Sequence, residues 1–422
     1  MRWCWLFVLL GCRAGAVPLA PAPPVAMPAD DDALLARFQR DAFAYFWFES
    51  DARTGLTKDR AGTLAPDDCR VASIAATGFA LSALVIGAER GWVPREAAVA
   101  RAALMLRFVR DKVRHERGFL PHFLDLRTGA RVWDCEYSSV DTALFLAGAL
   151  TAGAAFGGEV AKLANALHER LDWPWLVSPD KLIRHGWKPD QGFLRPCWDT
   201  YSETVLVNLL ALGHPTRPVE PGCWAAWRRT NQGEYAGLRV FAGGLFIANY
   251  NGAYVDWRGR RDPVDGTDYH SMASAGVLAN RAFCLDQAKD GRFGYDEAFW
   301  GLSATDAPDG GYRAYQGPLR PVHDGTICPW AVAGAVPFAP EICVRSLRQL
   351  VARYGAGLYG RYGFVGAAHR ARNWARPDVI GIDVGAGLVM LENHRSGLVW
   401  RLFASLPSTQ AAFARAGFAP AP

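Results

Sequence analysis

Trp133-Asp134-Cys135-Glu136-Tyr137-Ser138-Ser139-Val140-Asp141-Thr142 runs directly into Ala143-Leu144-Phe145-Leu146-Ala147-Gly148. The second half continues without a polar stripe to Phe156. A helix over Asp141–Phe156 is therefore apolar all round and must be enclosed by other elements. The first half sets acids beside aromatic rings at the mouth of that helix. A second stretch repeats the arrangement: Cys197-Trp198-Asp199-Thr200-Tyr201-Ser202-Glu203, then Thr204-Val205-Leu206.

Working outward, helical patterns dominate from Asp31 onward. Leu35, Phe38, Ala42 and Tyr45 recur at spacings of three and four, one face of a helix. Val71–Ala88 is almost all apolar or small, and Glu203–Leu212 is apolar. Pro94–His115 and Glu159–Leu171 are amphipathic, and Gly222–Tyr235 is mixed. Tyr269–Lys289, Thr326–Val336, Pro340–Tyr354, Val379–Asn393 and Ser396–Leu406 complete the helical segments. Buried and amphipathic helices tend to alternate. This predicts an all-α fold, an α/α toroid with inner helices ringed by outer ones. Gly118–Asp125 and Gly243–Asn249 read as short β-hairpins in its loops. Val71–Ala88 has the length of a membrane span. Its Ser, Thr and Gly content and the helix alternation favour a core helix instead.

The chain has 422 residues, half of them hydrophobic, enough for a large core. Net charge is +5 without a long basic run, which argues against a nucleic-acid partner. The 16 Trp and 13 Tyr suit carbohydrate binding. At the N-terminus, Arg2 and the apolar run Trp3–Leu10 read as an export signal over residues 1–16. Leu9-Leu10-Gly11-Cys12 resembles a lipobox, and Ala14-Gly15-Ala16 fits ordinary cleavage. Residues 17–30 are Ala/Pro-rich and read as a flexible tether, leaving residues 31–422 as one catalytic domain. This predicts a periplasmic protein or an outer-membrane lipoprotein, touching membrane only through that anchor. Seven further cysteines are widely spaced, and the nine histidines show no HExxH or paired zinc spacing. No phosphate loop and no Gly-x-Ser-x-Gly elbow is present. The sequence thus implies neither a metal nor a cofactor.

Ser138-x-x-Asp141 and Thr200-x-x-Glu203 both match the capping box of a helix start. Capping alone would account for both acids. Their aromatic neighbours, and two buried helix mouths converging on one cleft, favour chemistry as well. Paired carboxylates do the proton work of glycoside cleavage, and aromatic faces stack on sugar rings. An acid in the first helical turn is favoured as the anion. That suits a base or nucleophile, so a general acid there needs burial or a neighbouring carboxylate to raise its pKa. Asp134 and Asp199 read as turn or solvent-facing acids. Other polar and aromatic residues beside glycine and near helix starts suggest loops lining one rim. They make His122, Trp133, Tyr201, Asp268, Tyr269, Trp300, Asp309, Tyr312, Asp324 and Asp383 the substrate-binding candidates.

Taken in order, these motifs resemble the glycoamylase-like family. It includes bacterial endo-β-1,2-glucanases and the cyclisation domain of cyclic β-1,2-glucan synthases. The resemblance runs from about Leu35 to about Leu402. It is carried by Phe46-Trp47, Gly78-Phe79, Arg90-Gly91-Trp92, Gly118–Phe123, Glu136–Ala143, Tyr201–Glu203, Trp300-Gly301, Asp309–Tyr312, Asp324–Thr326, Tyr362–Phe364 and Gly381–Asp383. It implies an (α/α)6 barrel and action on β-linked glucan, β-1,2-glucan above all. It implies Glu203 as the acid, and Asp141 or Glu136 as the base, or as the nucleophile in a retaining enzyme. A transglycosylase of the same family, a non-catalytic glucan-binding protein and a polysaccharide lyase are the competing readings. Arg258, Arg260, Arg261 and Arg313 suggest glucans with anionic substituents.

Overall fold

The computed structural model describes residues 17–19 and 22–419. The expected export signal and Cys12 lie outside the described residues. The chain begins with α1 (Asp31–Phe48), α2 (Ile74–Glu89), α3 (Arg95–Asp111), α4 (Ser139–Phe156), α5 (Gly158–Glu169) and the single turn α6 (Trp173–Leu176). It continues with α7 (Thr204–Leu212), the short α8 (Gly222–Ala226), α9 (Leu245–Tyr254) and α10 (Tyr269–Ala288). It closes with α11 (Pro329–Gly334), α12 (Pro340–Tyr354), α13 (Gly381–Arg395), α14 (Leu398–Ala404) and α15 (Pro407–Ala416).

The most apolar helices touch in a closed circuit. α2 packs on α4, α4 on α7, α7 on α9, α9 on α11, α11 on α13, and α13 back on α2. The amphipathic helices lie against this circuit: α1 on α2 and α13, α3 on α2, α5 on α4, α10 on α9, α12 on α11 and α15 on α7. α4 has the length and mean hydropathy of a membrane span, 18 residues at 1.4. Here it is enclosed by α2, α5 and α7, as a helix without a polar face requires.

α2 and α4 approach at backbone distance. A Cβ on Gly148 would stand 1.9 Å from the Gly78 carbonyl oxygen, and one on Gly78 would stand 2.4 Å from Cα of Phe145. Only glycine fits there. Short antiparallel strands then hold the N-terminal ends of the inner helices. Val71–Ser73 pairs with Phe123–Asp125 and leads into α2. Tyr137–Ser138 pairs with Leu120–Pro121 and Gly186–Lys188 and leads into α4. Asp378–Ile380 pairs with Arg60–Gly62 and leads into α13.

Three segments differ from the sequence expectation. Gly243–Asn249, expected as a hairpin, holds the start of α9. That helix has no side-chain cap of its own, and its first amides are satisfied from a distant loop. Leu245 N–H donates to the Leu302 carbonyl (2.9 Å) and Phe246 N–H to Ser303 Oγ (3.2 Å). The mixed segment Gly222–Tyr235 is helical only to Ala226. Its end is a strand, Gln232–Tyr235, paired with Leu238–Phe241 across Ala236-Gly237. Both turn residues have positive φ (51° and 73°), the geometry of a type I′ hairpin. Finally, described parts of the expected tether lie against the body. Val17 pairs with Ala375, Leu19 is buried, and the Pro28 carbonyl accepts from Arg348 (2.6 Å).

Substituting Gly148 by Ala is expected to destabilise the fold by about 1–3 kcal/mol through overpacking. Urea unfolding of the purified variant measures this. A midpoint equal to wild type would show that the α2–α4 contact can relax freely.

Candidate active site

The acid residues gather where the inner helices begin. His122 leaves the strand Leu120–Pro121 between two of these mouths. Its carbonyl accepts from Ile74 N–H at the start of α2 (3.1 Å), and its N–H donates to the Glu136 carbonyl (3.0 Å). Its ring lies flat on Phe123, centroids 3.8 Å apart. Nδ1 then stands 3.0 Å from Glu136 Oε1, and Nε2 3.4 Å from Asp141 Oδ1. One imidazole thus bridges the two acids of the first stretch. Burial works against the charged ring, but Asp141 and Glu136 outweigh it and raise its pKa to about 9. His122 is therefore an imidazolium at neutral pH. Burial also opposes ionisation of Glu136, yet the His122 charge and hydrogen bond hold it below the usual carboxylate value. Asp141 is pushed up, because burial outweighs the pull of His122 and of the Ser138 hydroxyl.

The capping expectation is met by one acid and not by the other. Ser138 caps α4, its Oγ accepting from Asp141 N–H (3.2 Å) and donating to Asp141 Oδ2 (2.5 Å). Asp141 is held by the cap while its other oxygen faces His122. Glu203 occupies the N-cap position of α7 itself and makes no side-chain capping bond. Its carboxyl is raised to about 7, first by burial and then by the charge of Asp141. Glu203 therefore senses the charge of Asp141 across the ends of α7 and α4.

Asp383, in the first turn of α13, forms the opposite side. It accepts weakly from the Tyr250 hydroxyl (3.4 Å) and from the Cys328 thiol (3.8 Å). Burial lifts it to about 8, with Asp306 and Asp59 adding to the lift. Tyr250 lies near both acids: burial raises its hydroxyl, and the charges of Asp383 and Glu203 add to the lift. Tyr312 is raised by burial and by the same Asp383. Beneath them runs a buried charge network. Arg60 bonds Asp59 (3.2 Å) and Asp306 (2.8 Å), and Arg376 bonds Asp306 (3.2 Å) and Asp378 (2.8 Å). The Asp59 charge reaches His122, Asp141 and Asp383 alike.

The structure thus brings together Glu136, Asp141, Glu203, His122, Asp383 and Tyr312 from the sequence candidates. Trp133 stands at the rim, 41% exposed, edge-on to Phe123 at 5.1 Å. Other candidates are engaged elsewhere. Tyr201 is buried and stacked on Phe241 (3.9 Å) and Tyr269 (5.3 Å). Tyr269 is buried and bonded to Asp262. Trp300 is fully buried with its indole N–H on Ser346 (2.8 Å). Asp268 caps α10 through Ser271 N–H (2.9 Å). Asp309 pairs with Arg313 (2.7 Å) in an exposed turn, and Asp324 accepts from Tyr315 (2.8 Å). Asp134 is exposed, and Asp199 pairs with Arg228 (2.6 Å). The arginines also have internal partners. Arg258 pairs with Asp256 and covers Trp400, and Arg260 covers Phe413.

Asp59, Arg60, Tyr250, Arg376 and Asp378 were not singled out in the sequence. Each stands without a neighbouring motif, and only the fold assembles them. His122, Glu136 and Asp141 offer ligand atoms within 4.8 Å of one another, a group that could hold a metal ion. Both ring nitrogens of His122 already face carboxylates, so a metal would have to displace one of them. The arrangement instead supports proton transfer. Two carboxyl groups titrate near neutrality, and two more are bridged by a cation.

The glycoamylase family model, described as "Putative glucoamylase", matches residues 196–407, about half of the chain. A Bacteroides uniformis crystal structure of the same description superposes with a TM-score of 0.84 at 30% identity, covering 93% of this chain and 99% of that one. The chain belongs to the glycoamylase-like family. An endo-β-1,2-glucanase from Chitinophaga pinensis, solved with sophorotriose and glucose, gives a TM-score of 0.84 at 25% identity, covering 93% of this chain and 99% of that one. An exo β-1,2-glucooligosaccharide sophorohydrolase (non-reducing end) of Parabacteroides distasonis is 28% identical over 91% of this chain. The chain spans 57% of the length of that relative.

The His122 bridge has a stability signature. The folded value of about 9 lies above the ordinary 6.5, so its contribution is full below about pH 6.5 and is lost as pH rises through about 9. The stability gap between wild type and His122→Asn is expected to shrink across that window in urea unfolding. A gap independent of pH would count against a charged bridge.

Proposed function

We propose that this protein is a glycoside hydrolase of β-1,2-glucan, acting in endo mode on an (α/α)6 toroid. The closed circuit of six inner helices with outer helices against it supports the toroid. The observation that carries the function is Glu203, an uncapped helix-mouth carboxyl at about 7 that senses Asp141. A carboxyl protonated near neutrality can donate to a leaving glycosidic oxygen. In this reading Glu203 is the general acid, and Asp141 is the carboxylate on the other side of the bond. Glu136 keeps His122 charged beside it. Export to the periplasm, with or without a lipid on Cys12, belongs to the same proposal and agrees with a polymeric substrate outside the cytoplasm.

A second reading of the base rests on Asp383. Its carboxyl, lifted to about 8 mainly by burial, faces no imidazolium. A base works best when its pKa lies near the operating pH. Asn substitutions separate the two assignments. If Asp141 is the base, Asp141→Asn is expected to lose about 10²–10⁴-fold in kcat, with Asp383→Asn affected less. The reverse order assigns the role to Asp383.

Glu203→Gln is expected to fold normally and to lose about 10²–10⁴-fold in turnover of β-1,2-glucan. Wild-type activity is expected to fall as pH rises through about 7, where Glu203 loses its proton. Full activity of Glu203→Gln in a reducing-sugar assay would remove it from the reaction. Chromatography of early products should give a ladder of oligosaccharides. Release of sophorose alone would replace the endo mode by an exo one.

A further inference from the structure

Glu136 is flanked by a second cation, and strand pairing puts it there. Leu120 stands opposite Ser138, and Pro121 opposite Tyr137. On the other side, Tyr137 stands opposite Trp187, and Ser138 opposite Gly186. One step further along these ladders, Glu136 meets His122 on one side and Lys188 on the other. The bond from His122 N–H to the Glu136 carbonyl (3.0 Å) continues the first ladder to that step.

Residues opposite each other in register share one face of a sheet. His122, Glu136 and Lys188 therefore form a row of cation, anion and cation across three strands. The adjacent row lies on the other face, where the rings of Tyr137 and Trp187 stand 5.9 Å apart. A Cβ on Gly186, two residues before Lys188, would lie 3.3 Å from Glu136 Cγ. Alternation along the strand gives Lys188 that same face. The row ends there, because the next partner of Lys188 is Gly192, which has no side chain.

Lys188 is half-buried and makes no direct ion pair among the described residues. Burial opposes the Glu136 anion, His122 supports it most, and the Lys188 charge adds to that support. Three other titratable groups face Glu136: Asp141 on α4, Cys135 and His185. Burial raises Cys135 to about 12 and lowers His185 to about 4, so neither is charged at neutral pH. That leaves Lys188, beside His122, to offset the repulsion from Asp141.

We propose that Lys188 is a positioning residue: with His122 it clamps Glu136 between two cations and so fixes the imidazole against Asp141. The proposal rests on the reading of Asp141 as the carboxylate across the bond from Glu203, and deepens it. With one cation only, Glu136 is free to turn away from Lys188's side of the row. The Nδ1 contact (3.0 Å) that aims Nε2 at Asp141 (3.4 Å) then loosens. Lys188 acts through these two neighbours and not on the sugar.

Lys188→Met keeps the apolar stem and removes the charge. It is expected to lower kcat on β-1,2-glucan about two- to fivefold, the scale of one cross-strand charge pair. KM should stay at the wild-type value, because the effect passes through a group acting in the transition state. Lys188→Arg returns the charge and is expected to recover most of the loss. A double-mutant cycle with Glu136→Gln reads the clamp without turnover. Lys188→Met should lower the urea midpoint in the wild-type background and leave it unchanged beside Glu136→Gln. Wild-type kcat in Lys188→Met, a rise in KM alone, or a loss that Lys188→Arg does not recover overturns the proposal. Equal midpoint shifts in both backgrounds overturn it as well. A wild-type protein that turns over no β-1,2-glucan removes the hydrolase reading and the role in the reaction, while the urea cycle still decides whether the clamp exists.

Discussion

The structure depends on the contact between α2 and α4. Gly78 and Gly148 let the two backbones meet where no side chain fits. That contact sets the capped mouths of both helices side by side, Ser73 on one and Ser138 on the other. His122 can then serve both. Its carbonyl takes the first amide of α2, and its ring spans the acids at α4. A wider helix spacing would break this double attachment, and the bridge between Glu136 and Asp141 would lose its fixed geometry.

Two opposing effects divide the acids of the site. A helix N-terminus favours the anion, and burial favours the neutral acid. Near His122 the imidazolium tips the balance for Glu136, which stays below its ordinary value. At α7 and α13 no cation makes direct contact among the bonds described, and burial wins for Glu203 and Asp383. Arg60 is close enough to lower Asp383, but it is shared among Asp59, Asp306 and Asp378. One cleft therefore holds bridged acids on one side and, on the other, acids whose pKa values burial lifts to about 7 and 8.

The helical class was legible because α2 and α4 have no polar face and can exist only inside. The acid stretches were legible because Glu136, Asp141 and Glu203 sit beside aromatic residues at helix starts. Local sequence could not show which acid caps and which stays free. Ser138 does the capping at α4, whereas Glu203 stands one step outside α7 and makes no side-chain capping bond. The start of α9 was illegible for a related reason: its cap is Ser303, far along the chain. Tyr250 became invisible with it. Trp300, Tyr269 and Tyr201 look like rim aromatics in sequence, but their polar atoms or ring faces find partners inside the fold. An aromatic next to glycine reads alike in either case, and only packing separates them.

Asp383 shows how such a site can respond to what enters it. Its donors are long, a hydroxyl at 3.4 Å and a thiol at 3.8 Å. The fold therefore leaves this carboxyl buried without a strong hydrogen bond. A sugar offers hydroxyls of its own, and each one donated to a carboxylate favours the anion. Binding would then draw Asp383 down from about 8 as its surroundings become more polar. Linkage requires the converse as well: the ionised form holds such a hydroxyl more tightly than the neutral form. The long contacts of Asp383 thus couple a hydroxyl donated to it to the charge of the cleft wall.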